Sequence, residues 1–277
     1  MLADFEIHQV NSMDEIHQIV DIQRQAWKMP DLEIVATFEM KAVSDFGVVL
    51  VAVDTNKKSI GFIYAFPEFP HYHYSHMMAV LPEWDGKGVG FALKQYHRNL
   101  ALKSEFNIDR IRWTVDPLLP NNAYLNFAKL GGRSSKYYVN YYGDPESIGL
   151  YSGLPTDRLM LEWFLKDERT ERRMKNYRLD RISRSDLFSR SPAINKIENS
   201  RWVNLNNSDQ SWQFSFQVPA NYQELRKNNI ELAIAWRIIF RKLCLNYFEK
   251  GWEITDYHSF KGKGKRENYY EFQVKRK

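Results

Sequence analysis

The sequence predicts an α+β fold with a mixed central sheet and flanking helices, and three observations predict it. Val48–Val53 is an unbroken apolar run of the kind that lies in the middle of a sheet. His76–Leu93 reads as strand, tight glycine turn and helix in immediate succession. Over residues 5–142, strand-like and helix-like periods follow one another in the order strand, helices, hairpin, strand, glycine turn, helix, strand, helix, strand.

Each element has its own local cause. Phe5–Val10 alternates apolar and polar residues, the period of a half-buried strand. Asn11 or Ser12 caps a helix whose apolar positions, Ile16, Ile19, Val20, Ile22 and Trp27, follow helical spacing. Asp14 and Glu15 stand in its first turn, where they favour the helix dipole, and it ends before Pro30. A shorter helix is expected over Asp31–Val43, and the polar turn Asp54–Ser59 joins Val48–Val53 to Ile60–Phe66 as a hairpin. Phe91–Leu102 is a helix with Leu93, Tyr96, Leu100 and Ala101 apolar. Ile108–Val115 is a strand stopped by Asp116-Pro117. Asn121–Leu130 is a helix ended by Gly131-Gly132, and Tyr137–Tyr142 is a β-prone aromatic strand.

With 277 residues, 44% of them hydrophobic and 15% aromatic, the chain can bury one large core or two ordinary ones. The single cysteine, Cys244, cannot close an internal disulfide, and no leader or bilayer-length apolar run is evident, so a reducing, cytoplasmic setting is expected. A net charge of +5 is mild for this length. Its unevenness, Arg-rich over Lys166–Arg190 and Lys-rich over Lys261–Lys277, reads as solvated faces or as accommodation of a polyanionic small molecule. A nucleic-acid footprint and a membrane partner are not expected.

The stretch that carries function is the glycine turn. Pro82 ends the strand, and Gly86, Gly88 and Gly90 alternate directly before the helix. Such a turn gathers backbone N–H groups at the positive end of a helix dipole, an anion site suited to phosphate, and Lys87 adds a charge. The spacing is neither that of a P-loop, which requires Gly-Lys-Ser/Thr at its end, nor the Gly-x-Gly-x-x-Gly of dinucleotide folds.

Asp85-Gly86-Lys87-Gly88-Val89-Gly90 resembles the acyl-CoA-binding motif of the GNAT acetyltransferases, written Arg/Gln-x-x-Gly-x-Gly/Ala, with Asp85 where Arg or Gln is usual. Asn122-Ala123 and Lys129-Leu130-Gly131 occupy the place of that family's downstream helix motif. The set Trp113–Pro117, Asn122–Asn126, Tyr142-Gly143 and Gly153–Arg158 looks like a little-characterised bacterial family of predicted GNAT enzymes. The resemblance implies a sheet whose two motif-bearing strands splay apart. Loop amides from Asp85, Gly86, Lys87, Gly88, Val89 and Gly90 would hold the coenzyme A pyrophosphate, strand backbone at Met78, Ala79 and Val80 the pantetheine, and Asn122 or Asn126 would add a hydrogen bond. Acetyl-CoA is the implied co-substrate, without a metal.

Acyl transfer from a thioester to an amine needs a base for the ammonium proton, donors for the carbonyl and an acid for the thiolate, with no covalent intermediate. His76, whose free pKa of about 6.5 suits proton transfer, and Asp116 are the candidate bases. The family's acid is a Tyr four residues after the helix Ala; here that position is Phe127, so the role falls to Tyr124 or to Tyr137, Tyr138 or Tyr141. His71, His73 and His76 lack the carboxylate or cysteine partners of a metal site. Cys244, inside an apolar helix pattern, reads as a small hydrophobe. Pro155-Thr156-Asp157-Arg158 either binds an acceptor carboxylate through Arg158 or forms a local cap and ion pair.

The expected organisation is an acyl-CoA-binding domain over 1–165, a basic connector over 166–207 and a βαββ subdomain over 208–277. The subdomain comprises a strand at Trp212–Val218, a long helix at Asn229–Lys250 stopped by Gly251, and paired strands at Glu253–Phe260 and Tyr269–Val274. Trp236-Arg237 on that helix stands out, because a buried Arg requires an acidic partner. The expected activity is N-acetyl transfer to a small-molecule or peptide amine, the chain acting alone or as a homodimer. The rival is a coenzyme A-binding regulator that keeps the fold without turnover.

Overall fold

The computed structural model describes residues 4–28, 30–143, 153–205, 212–262 and 265–275. The last two residues of the expected connector and Lys263-Gly264 in the closing turn lie outside them. The chain divides into two compact units, Met1–Trp113 with Phe164–Lys166, and Thr114–Glu146 with Gly153–Trp163 and Asp167–Lys277.

The first unit begins with β1 (Phe5–Gln9) and α1 (Met13–Trp27), whose first turn is capped by the Ser12 hydroxyl accepting from the Glu15 amide. After α2 (Thr37–Phe46) come β2 (Val48–Asp54), β3 (Ser59–Glu68), β4 (Tyr72–Val80), α3 (Val89–Lys103) and β5 (Arg110–Val115), of which Arg110–Trp113 belong to this unit. The sheet runs antiparallel from β1 through β4, and β4 and β5 are parallel, so it is mixed. β2 lies between β1 and β3 and is buried along its first six residues, which is why its sequence is uniformly apolar rather than alternating. Ile16, Ile19, Met40, Leu50, Phe62, Ile63 and Leu93 join one core cluster.

The second unit holds α4 (Pro120–Ala123), which continues as a π-helical turn over Tyr124–Lys129 and stops at Gly131, φ +80°. It continues with β6 (Arg133–Tyr138), β7 (Arg158–Phe164), α5 (Glu168–Asn176), α6 (Arg184–Arg190), β8 (Asn195–Glu198), β9 (Arg201–Asn204) and β10 (Gln213–Val218). Then come α7 (Tyr222–Asn228), α8 (Ile230–Glu249), β11 (Trp252–Lys261) and β12 (Arg266–Val274). Within this unit β7, β6, β11, β12 and β10 are antiparallel neighbours in that order. The buried stripe of α8, Ala233, Trp236, Arg237, Phe240 and Cys244, recurs at helical spacing, and Phe240 packs on Tyr270 of β12.

Two sequence readings change. Residues 166–205 form helices and a hairpin rather than an extended arm, and one of their arginines is interior while a second, Arg169, is largely covered. Arg173 is 4% exposed and bonds Asp256 at 2.7 Å and the Phe127 carbonyl. The basic composition that reads as a solvated connector is therefore partly an internal ion-pair lattice. The aromatic strand expected at 137–142 begins at Arg133 and ends at Tyr138, leaving Tyr141 and Tyr142 exposed beyond it.

Candidate active site

The site-bearing part of the first unit is the end of β4 together with the turn that leads into α3. β4 pairs with β5 over only three rungs, Tyr72 with Arg110, His73 with Ile111 and Tyr74 with Arg112, while β4 itself runs on to Val80. From Ser75 onward the two strands have no shared register among the described residues. The edge of β4 that includes Met78, Ala79 and Val80 is thus a free backbone edge on that side.

Beyond Val80, Pro82–Trp84 makes a short 3₁₀ turn, and residues 85–88 are exposed. Gly86 and Gly88 take φ of +74° and +93°, the left-handed region that glycine enters without strain. A Cβ built on either would meet nothing within 4 Å, so their role is conformational and the loop surface stands open. Gly88 caps α3 without any side-chain hydrogen bond. Among the described residues no acceptor meets the amides of Gly88, Val89 and Gly90, which lie at the positive end of a fifteen-residue helix. That arrangement fits a diphosphate. Lys87 Nζ lies 4.8 Å from the centroid of the Trp84 ring, and Asp85 flanks the same turn as an exposed carboxylate.

Residues 13–131 match the profile of the acetyltransferase (GNAT) family. The matched segment, less than half of the chain, resembles a GNAT acetyltransferase domain. Among solved structures the chain is similar to the ribosomal-protein-S18-alanine N-acetyltransferase of Escherichia coli, with 14% identity over 59% of this chain and 96% of that one, TM-score 0.46. It is also similar to Ard1 from Thermoplasma volcanium, with 18% identity over 59% and 99%, TM-score 0.46. A third is the ribosomal-protein-S5-alanine acetyltransferase of Vibrio fischeri, with 16% identity over 59% and 94%, TM-score 0.47. No curated protein matches the sequence. The α+β mixed sheet with flanking helices is that of the GNAT fold, with added C-terminal strands.

The two sides of β4 differ in chemistry. On one side His76 projects at an exposed position, ringed by Tyr64, Phe66 and Tyr74 at centroid distances of 6.0, 6.0 and 6.1 Å. Although one side of the imidazole meets solvent, packing against the rings partly desolvates it and lowers its pKa, while the Glu39 carboxylate pulls the other way. Glu39 also accepts the Tyr64 hydroxyl at 3.0 Å. On the other side Ser75 and His73 are buried against α3, whose inward face is Val89, Leu93, Lys94, His97 and Ala101. Lys94 Nζ donates to Ser75 Oγ at 3.0 Å and lies 3.5 Å from the centroid of the Trp113 ring on β5. His97 Nε2 and His73 Nδ1 are 3.1 Å apart, sharing one proton in a stacked pair.

The sequence-predicted residues divide between the units. His76, Met78–Val80 and the 85–90 turn lie together in the first; Asp116, Asn122, Tyr124 and Asn126 lie in the second. Asp116 is 4% exposed, and Arg237 Nη1 and Nη2 grip its two oxygens at 2.8 and 2.9 Å. Burial alone raises that carboxyl, but the Arg237 charge and hydrogen bonds outweigh it and hold the pKa below the usual value, which suits a structural anion and not a base. Tyr124 accepts from Arg181, Asn122 is exposed, and Asn126 is buried in the π-helical turn with Oδ1 unpartnered among the described residues. Phe127 is fully buried edge-on to Tyr270.

The Asp157-Arg158 loop is internal. Asp157 takes both Arg241 nitrogens at 2.8 Å and the Tyr137 hydroxyl at 2.8 Å, and Arg158 lies over the Tyr142 ring. Asp256, His258 and Glu271 bring ligand atoms within 4.8 Å of one another, but Arg173 and Arg169 neutralise Asp256, and Arg190 and Ser191 engage Glu271. Cys244 is sealed, and burial pushes its thiol well up. The residues that sequence reading missed are Ser75, Lys94 and His97. The signal was present: Lys94 and His97 occupy the apolar stripe of the helix, beside Leu93 and Ala101.

Proposed function

We propose that the chain is an acyl-CoA-dependent N-acyltransferase that takes acetyl from acetyl-CoA to an amine by direct attack in a ternary complex. The observation that carries this is the sequence of an early-ending β4–β5 ladder, an open left-handed glycine turn and an uncapped helix N-terminus along one line of backbone. The diphosphate is held by the amides of Gly88, Val89 and Gly90, and the pantetheine lies along the free edge at Met78–Val80, where peptide groups can exchange hydrogen bonds with its two amides. An acyl thioester then sits in the gap between the strands.

His76 takes the ammonium proton of the acceptor. An imidazole kept neutral by its ring neighbours is a competent base at neutral pH, and Glu39 with Tyr64, Phe66 and Tyr74 offers an amine both a carboxylate and aromatic faces. The uncapped helix end and the free strand edge support coenzyme binding, and the titratable base beside them supports turnover over the regulatory alternative. Titration calorimetry with acetyl-CoA, followed by thiol release over a panel of tyramine, spermidine and an alanine-initiated peptide, tests it. Binding with amine-dependent release is expected. Binding without release by any acceptor favours the non-catalytic regulator, and no binding at all removes the assignment.

A further inference from the structure

The first missing rung of the β4–β5 ladder, Ser75 opposite Trp113, is spanned by a side chain from above. Lys94 reaches from α3, donates to Ser75 Oγ on β4 at 3.0 Å and covers the Trp113 ring on β5 at 3.5 Å. Lysine is among the residues least often found inside, yet Lys94 is 1% exposed and Ser75 3%. Among the described residues no carboxylate pairs with it. Behind it, one helical turn along α3, His97 is wholly buried with Nδ1 unpartnered among the described residues, and His73 completes the set from β4. The charged groups of β5 are engaged elsewhere: Arg112 is paired to Glu68, and Arg110 lies over the Tyr72 and Phe164 rings. A lysine without a counter-ion in such a place is worth explaining, since an apolar side chain would fill the space without the desolvation cost.

We propose that Ser75 and Lys94 form the proton donor for the departing coenzyme A sulfur. The inference rests on the acyltransferase reading above. With the diphosphate at residues 86–90, the pantetheine runs back along β4; Ser75 to Val80 covers about 17 Å at ~3.3 Å per residue, the reach of an extended phosphopantetheine arm. The sulfur therefore arrives where the ladder opens, under Ser75. As the acceptor nitrogen forms its bond to the acyl carbon and the C–S bond breaks, the thiolate takes the Ser75 hydroxyl proton. Ser75 recovers a proton from the Lys94 ammonium, and the neutral amine regains its proton before the next turnover.

Burial moves Lys94 well below the ordinary lysine value, in the direction of a thiol's, which makes the transfer easier to reverse and repeat. The same burial holds His97 well below its usual value, assisted by the charges of Lys94 and His73. Ser75 is the catalytic donor in this scheme, Lys94 the reservoir that acts through it. The position where the family's Tyr would act is Phe127, buried in the second unit, so the acid must come from elsewhere.

The test uses Ser75→Ala, Ser75→Thr, Lys94→Met and Lys94→Arg in the full chain, with acetyl-CoA and the panel amine that the wild type turns over. Ser75→Ala and Lys94→Met are expected to lower kcat by roughly 10²–10⁴-fold, the span of general acid catalysis, with acetyl-CoA affinity held within about threefold. Ser75→Thr should restore most of the rate. Lys94→Arg should not, because a guanidinium keeps charge and bulk but does not release its proton. With S-acetyl-4-nitrothiophenol, whose thiolate departs without protonation, the Lys94→Met defect should shrink towards none. An unchanged kcat in Lys94→Met, full rescue by Lys94→Arg, loss of acetyl-CoA binding alongside kcat, or an equal defect with the activated thioester would each overturn the dyad. All of these leave the acyltransferase reading standing, whereas a wild type that neither binds acetyl-CoA nor releases thiol takes down both.

Discussion

Asp116 and Arg237, 121 positions apart in the sequence, meet as a two-pronged pair inside the second unit, with Arg237 0% exposed. Tyr222 lies beneath the guanidinium, and the Tyr270 hydroxyl closes the neighbourhood by donating to the Pro117 carbonyl. The pair fastens the end of β5 to α8, so the Asp-Pro that stops the strand also anchors the long helix.

Removing one partner should be costly. Asp116→Asn leaves a buried guanidinium without its anion, a change expected to destabilise by about 3–5 kcal/mol, whereas replacing both residues by apolar ones of similar volume should recover much of that loss. Chemical denaturation of the single and double variants measures it. Because the folded carboxyl lies below its unfolded value, the pair contributes fully above about pH 4 and fades as pH falls through the folded pKa. The wild type should therefore lose stability on acidification below that point, while Asp116→Asn should lack this component. A single variant as stable as the wild type would refute the anchoring role.

His76 should titrate below the ordinary histidine value of about 6.5, since its ring neighbours desolvate the cation more than Glu39 favours it. NMR of the imidazole should show a midpoint under that value, and removing Phe66 as Phe66→Ala should raise it. His76→Gln should lower kcat by about 10²-fold or more with acetyl-CoA affinity retained. A midpoint above about 6.5, or a variant with the wild-type rate, would take the base away from this position.

How much of this was legible in the sequence depends on the range of the cause. The glycine turn, the Ser12 cap and the Gly131 and Gly251 stops are set by residues within one turn of each other, and each is in the structure where the sequence placed it. The apolar run of β2 announced a central strand because burial on both faces leaves no room for alternation. The acidic partner demanded by Arg237 was foreseeable, but not its identity, since no local pattern links it to Asp116. β7 was missed although Leu159-Met160-Leu161 is apolar, because the Asp157-Arg158 pair before it looked like a surface loop. The start of β4 at Tyr72 was obscured by its alternation of rings and imidazoles. With it went the three-rung ladder and the meaning of Lys94, whose place is visible only once β4 and β5 are side by side.

Gly88 tests the anion site directly. Its φ of +93° is costly for any residue with a Cβ, about 1–2 kcal/mol, although there is space for the atom itself. Gly88→Val should therefore distort the turn without a steric clash elsewhere. The expected result by calorimetry is at least a tenfold loss of acetyl-CoA affinity, with a loss of thermal stability no larger than the backbone strain alone produces. Gly143→Val, at φ +83° in the second unit and equally open, should leave that affinity alone. Equal affinity in Gly88→Val and wild type would mean that the turn does not hold the diphosphate.

Asp85 supplies the opposite sign. An exposed carboxylate at the turn proposed to receive a diphosphate would repel it, and salt would screen the repulsion because the group is exposed. Asp85→Gln should strengthen acetyl-CoA binding by roughly two- to tenfold at low ionic strength, with the gain shrinking towards one as salt is raised past the Debye regime. Dephospho-coenzyme A, which keeps the diphosphate and loses the ribose phosphate, should show the same gain, since the charge that matters lies at the glycine turn. A gain confined to the full coenzyme would move the contact from the diphosphate to the ribose phosphate, and a loss of affinity would mean that Asp85 orders the loop instead of opposing its ligand.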